Sequence, residues 1–186
     1  MAAVLIIVGV ILLIILWFVA IYNGMVKLKI SSENAWSDVD VFLKKRYDLI
    51  PNLVETVKGY AKYEQETLEN VIKARTQAIN VKAEDVEKQI QAENMLSQTL
   101  RSLFALQERY PDLKANTQFQ ELMAQLRNIE TEIERARRYY NAVVRDFNIK
   151  IRVFPNVIVA NMTGFSKLPF FEIEDPKERE NVKVQF

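Results

Sequence analysis

The amino-acid sequence predicts an all-α protein: one N-terminal transmembrane helix, a bundle of long helices of the four-helix type, and an extended C-terminal tail. Three observations carry that expectation. Residues Met1 to Met25 bear no charged side chain and, apart from Gly9, Asn23 and Gly24, are all apolar. From Lys27 to Phe154 the chain has one glycine, Gly59, and two prolines, Pro51 and Pro111, too little punctuation for a fold of hairpins. Phe119, Leu122, Leu126, Ile129, Ile133, Ala136, Tyr140, Val143, Phe147 and Ile151 then recur at spacings of three and four, the mark of a long amphipathic helix with a coiled-coil-like seam.

Taken in order, the run Ala2 to Tyr22 is 21 residues. At about 1.5 Å per residue it spans roughly 30 Å, the thickness of a bilayer's hydrocarbon core. A cleaved signal would need a shorter apolar region of about 7–15 residues with basic residues before it, so a retained anchor fits better. Trp17 and Tyr22 stand toward the far end, and Lys27 and Lys29 follow. With no Lys or Arg before the span, the positive-inside rule places the bulk of the chain in the cytoplasm and the N-terminus outside; an extracytoplasmic domain is the other option.

The spacing of Ala35, Val39, Phe42, Leu49, Leu53, Val57 and Tyr60 suggests a helix or helix pair from about Ser31 to Ala61, kinked or restarted at Pro51 with Asp48 as cap. Helices follow over Tyr63–Ile79 and Ala83–Arg109, separated by a turn at Asn80-Val81-Lys82. Tyr110-Pro111-Asp112 ends the second of them, since proline disfavours a helical residue before it. Asn116 is the expected cap of the long helix that runs to Ile151. Beyond it, Val157 to Ala160 reads as a strand or one helical turn, the tail packs its aromatics on the bundle, and Asp175 to Phe186 frays. The expected division is an anchor over residues 1–25, a bundle over 26–152 and a C-terminal segment over 153–186.

Composition narrows function sharply. The chain has no histidine and no cysteine. Thiolate nucleophiles, zinc–cysteine sites, histidine general bases and Glu-x-x-His di-iron sites are therefore excluded, and no cofactor or metal site is expected. Serine lacks a Gly-x-Ser-x-Gly elbow, and no glycine-rich phosphate loop exists. A net charge of +1 gives no overall attraction to nucleic acid.

The candidate residues are better read as structure or interaction surface than as catalysts. Asp38, Asp40 and Asp48, with Arg46 between, form an acidic cluster. Asp38 and Asp48, about 15 Å apart along a helix axis, cannot share a water or metal, so solvation, caps and pairs such as Asp38 with Lys45 are expected. Lys44, Lys45 and Arg46 read as a solvated face. Trp36 is a packing anchor. On the long helix, Tyr140 lies on the seam with its hydroxyl bonded to a neighbour, Asn141 is a candidate cross-brace between helices, and Arg138 is a candidate contact.

The run Glu33 to Ala61, including Asn34-Ala35-Trp36, Asp38-Val39-Asp40, Lys44-Lys45-Arg46-Tyr47-Asp48-Leu49-Ile50-Pro51-Asn52-Leu53 and Val57-Lys58-Gly59-Tyr60, strongly resembles the LemA family of bacterial membrane proteins. Ala136-Arg137-Arg138-Tyr139-Tyr140-Asn141, Phe154-Pro155, Gly164-Phe165 and Phe170-Phe171-Glu172 extend the match. The resemblance implies a single membrane helix with a short outside terminus and an antiparallel bundle, and it brings no catalytic activity. Family members include a protein needed to form magnetosome membranes, and family genes often lie near membrane proteases. Tyr47 and Tyr63 stand where many relatives have histidine, Phe147 replaces a tyrosine, and Asn156 sits one place early. The function expected is thus a non-enzymatic, single-pass scaffold of the bacterial cell membrane. Its partners would be the lipid bilayer, membrane or envelope proteins, and a second copy of itself. An adaptor of a membrane protease or a carboxylate- or Ser/Lys-based hydrolase is the alternative.

Overall fold

A computed structural model describes residues 1–60, 64–82 and 85–172. All regular structure among them is helical: α1 (Ala2–Lys58), α2 (Gln65–Ile79), α3 (Val86–Arg109), α4 (Pro111–Ala115), α5 (Thr117–Lys150) and α6 (Asn156–Thr163). These elements form two compact units. One holds residues 1–42 and 132–170; the other holds 43–131 together with Phe171 and Glu172.

Where the sequence suggests an anchor and a separate helix from Ser31, the structure has a single helix of 57 residues. Nothing between Asn23 and Ser31 stops it. The open space above Gly24 is used by Lys150, whose Cε lies 3.6 Å from where a β-carbon would stand. The eighteen most apolar residues of α1 include none that is buried, and α1 is the one helix among the described residues long and apolar enough to cross a membrane.

Nor does the helix restart at Pro51, which lies inside α1. A helical proline has no N–H to give the carbonyl four residues back, here that of Tyr47. Arg75 of α2 supplies the missing donor, its Nε 2.7 Å from the Tyr47 oxygen. With that acceptor satisfied, the helix continues to Lys58, and Asp48 is an exposed mid-helix residue rather than a cap.

In the second unit α3 begins at an Asp85 cap, whose Oδ1 accepts from the Lys88 amide at 3.1 Å. The expected starts of α2 and α3 at Tyr63 and Ala83 lie outside the described residues. Pro111 ends α3 but also opens α4 as its first residue, where the absent N–H costs nothing. Asn116 then caps α5, accepting from the Phe119 amide at 2.8 Å. Leu43, Ile50, Leu53, Leu96, Leu100, Leu103, Leu106 and Leu113 fill this core.

The first unit has its own apolar cluster of Met25, Phe147, Ile151, Val159 and Ala160, flanked by Phe18, Ile21, Leu28, Phe165 and Leu168. Val157 to Ala160, expected as a strand or single turn, belongs to the eight-residue helix α6. Asn156 follows a cis Phe154–Pro155 bond, and Gly164, at a φ of 77° that disfavours side chains, ends the helix. The segment Asp175 to Phe186 lies outside the described residues.

Candidate functional site

Counting sevens from Ser32 on α1 gives Val39, Arg46 and Leu53, and all four are buried. A seam position thus holds a guanidinium. Arg46 is not part of a solvated face with Lys44 and Lys45, which are exposed; it is 1% exposed and one of the largest fully buried side chains. Two other seams present carboxylates to it. On α3, Glu93 stands in the row Ile90, Glu93, Leu96, Leu100 and is also 1% exposed. On α5, Glu130 stands between Leu126 and Ile133, where the apolar pattern had favoured Ile129.

The three residues form a layer that runs from the unit's core at Arg46 and Glu93 to Glu130, whose side chain is 33% exposed. Arg46 Nη2 donates to Glu93 Oε2, while Nη1 reaches Glu130 Oε1 at 3.0 Å and the Ser97 hydroxyl at 3.1 Å. Glu93 Oε1 accepts from the Tyr47 hydroxyl and from Gln89 Nε2 at 2.7 Å. Burial alone would lower the Arg46 pKa, but Glu130 and then Glu93 hold it above its ordinary value, so the guanidinium stays charged. Both Nη groups of Arg46 are thus engaged, while its buried Nε has no partner among the described residues. The chemistry of the layer is that of a register lock: an apolar mismatch slid against it would strand a buried charge.

In the first unit, neutral groups on α5 hold the returning chain. Asn148, buried on α5, clasps the returning chain: its Nδ2 donates to the Leu168 carbonyl at 3.0 Å and its Oδ1 accepts from the Leu168 amide at 2.9 Å. One residue further, the Pro169 carbonyl accepts from the Tyr140 hydroxyl at 3.0 Å. Burial pushes that hydroxyl's pKa up to about 12. Trp36 packs edge-on against the Tyr140 ring at 5.2 Å. Asn141, seven residues before Asn148, is half-buried.

Asp38 opens onto a shallow surface groove of about 420 Å³ with Val41, Phe42, Glu132, Arg135 and Tyr139. Asp40 and Asn52 are exposed and Pro51 half-buried. Arg138 is exposed and pairs with Glu134 at 2.6 Å, while Tyr139 beside it is 57% exposed. Phe154 is 81% exposed, Pro155 is half-buried, and Phe171 is buried in the second unit. Glu93, Glu130 and Asn148 were missed by the sequence reading; counting the seam by position rather than by polarity finds Glu93 and Glu130, whereas Asn148 stands one residue past the seam position of Phe147 and carries no such signal. Among the described residues, no group of three or more His, Cys, Asp and Glu is placed to hold a metal ion.

The fold, with one apolar helix of membrane-spanning length among the described residues and two separately packed cores, defines a membrane-anchored all-α protein. Residues 35–186 match the LemA family, and the chain belongs to it. It is similar to Protein LemA of Metamycoplasma hominis, 25% identical over 155 residues, covering 82% of this chain and 69% of that protein. It is also similar to Magnetosome protein MamQ 2 of Paramagnetospirillum magneticum, 23% identical over 175 residues, and to Magnetosome protein MamQ of Magnetospirillum gryphiswaldense, 22% identical over 174. Each of these two matches covers 81% of this chain and 64% of the relative, so the chain spans somewhat less than two thirds of the magnetosome proteins' length.

Proposed function

We propose that this protein organises the membrane it is anchored in by presenting helical faces to membrane proteins or to further copies of itself. The observation that carries the reading is the continuity of α1: the apolar residues 2–22 and the packing residues Met25, Ala35 and Val39 belong to one uninterrupted helix. The helices packed on residues 25–42 are therefore held at a set distance and orientation from the bilayer, not on a flexible tether. Confinement to two dimensions raises the effective concentration of weak contacts. The groove that joins Asp38, Val41 and Phe42 to Arg135 and Tyr139 offers apolar surface with charge of both signs, a composition suited to a protein partner. The relatives named as magnetosome proteins support a place in membrane organisation.

The same reading takes the helices as an antiparallel bundle and puts the bulk of the chain in the cytoplasm, on the bias of Lys27 and Lys29. A reporter at the C-terminus that works only after export would overturn the placement. Photo-crosslinking from Val41 and Tyr139 in intact membranes tests the function. Adducts with membrane proteins or a second copy are expected, and a lone uncrosslinked monomer in membranes and in mild detergent would sink it.

A further inference from the structure

We propose that α6 and the turn before it form a second membrane contact, in which Phe154, Ile158 and Met162 enter the lipid leaflet beside the end of the membrane span. The proposal rests on the reading of α1 as a membrane helix.

The placement follows from packing. The inner face of α6, Val159 and Ala160, lies in a cluster with Met25, Phe147 and Ile151, against which Phe18 and Ile21 also pack. Phe18 and Ile21 are inside the uncharged segment, and Tyr22 meets Phe165 with ring centroids 5.8 Å apart. Packing partners from Phe18 to Leu28 cover about 15 Å of helix axis. That interval brackets the boundary between hydrocarbon and headgroups, and interfacial helices sit about 5–10 Å into that boundary.

The outer face has the matching chemistry. On α6, Ile158 is 47% exposed and Met162, one helical turn on, 72%; Phe154, in the turn before the helix, is 81% exposed. In water such a patch is costly; next to a membrane-spanning helix it is continuous with a surface that already faces lipid. From Phe147 to Phe171 the chain carries Lys150, Arg152 and Lys167 and no carboxylate. Arg152 and Lys167 are exposed, and Lys150 lies over Gly24, so basic groups flank the apolar face at headgroup level. Exposed apolar side chains, depth and charge all fit a phospholipid surface.

The absence of native cysteine makes the test direct. Single variants Phe154→Cys, Met162→Cys, Gln125→Cys and Ile11→Cys of the full chain are labelled with an environment-sensitive fluorophore in phosphatidylcholine–phosphatidylglycerol vesicles, Gln125 being exposed and outside the proposed groove. Each is then quenched from lipid by spin-labelled phospholipid or from water by iodide. Labels at 154 and 162 are expected to be quenched from lipid as at 11, and several-fold less from water than at 125. If 11 is lipid-quenched while 154 and 162 respond to iodide like 125, the second contact is refuted and the anchor stands. Protection of 154 and 162 from both quenchers means protein covers the face, which also refutes it. If 11 itself is not lipid-quenched, the membrane reading of α1 fails.

Discussion

Along α1, residues 25–42 and 43–58 meet their neighbours with opposite chemistry. The first stretch packs Met25, Ala35, Val39 and Trp36 in a unit where an uncharged amide and a phenol on α5 hold the returning chain. The second places a charged guanidinium in the same seam and answers it with two glutamates. Both devices fix register, but by different means. The amide clasp satisfies the backbone of one returning strand of chain, so its loss is local. The charge layer links α1, α3 and α5 at one level of the core, so any error of register there exposes three helices to an unpaired buried ion.

That contrast is sharpest at Arg46. Arg46→Met should cost about 3–5 kcal/mol, because Glu93 is left buried without its cation. Urea unfolding of the purified chain in detergent measures this. Adding Glu93→Gln should recover part of the loss, since the stranded charge is removed. A cost under about 1 kcal/mol for Arg46→Met would mean the layer is hydrated, and the two stretches of α1 would no longer differ in kind.

Asn148→Ala comes next. It removes both bonds to Leu168 and should cost about 1–3 kcal/mol, with the penalty concentrated in the segment after α6. Hydrogen exchange should speed up at the Leu168 amide while amides of α3 keep their protection. Equal acceleration in both units would show that the clasp is not local.

Much of this was written in the sequence, and the failures share a cause. Long helices, the Asn116 cap and the stop at Tyr110-Pro111 follow from spacing and backbone chemistry that act within a few residues. Arg46 escaped because its neighbours Lys44 and Lys45 are solvated, and a run of three basic residues looks like one surface. Only the register from Val39 to Leu53 separates it from them. Glu130 escaped for the mirror reason: Ile129 next to it is apolar, half-buried and off the seam by one residue. The continuity of α1 through Pro51 could not be read locally at all, since the donor that replaces the missing N–H comes from Arg75, 28 residues from Tyr47.

Smaller effects probe the edges of the comparison. Tyr140→Phe deletes the bond to the Pro169 carbonyl at a cost of about 1 kcal/mol. The phenol also has a pH signature. Its pKa rises from 10.0 to about 12 on folding, so between those values the unfolded chain releases a proton that the folded one keeps. Stability therefore falls as pH climbs from 10 toward 12. The fall should be shallower in Tyr140→Phe, and identical slopes would place the hydroxyl in water.

The smallest effect expected is at Arg138→Ala. Its pair with Glu134 is short, but both side chains are more than 60% exposed and one helical turn apart, a geometry that contributes about 0.3–0.5 kcal/mol. Set beside Arg46→Met, the same loss of an arginine–glutamate contact on helices of one protein should differ roughly tenfold in cost. Burial and connectivity separate the two sites: Arg46 joins α1 to α3 and α5, whereas Arg138 pairs within α5 in solvent. If Arg138→Ala instead weakens crosslinking in membranes while leaving unfolding unchanged, the exposed arginine belongs to the partner surface, and the division of labour between buried and exposed charge gains a functional meaning.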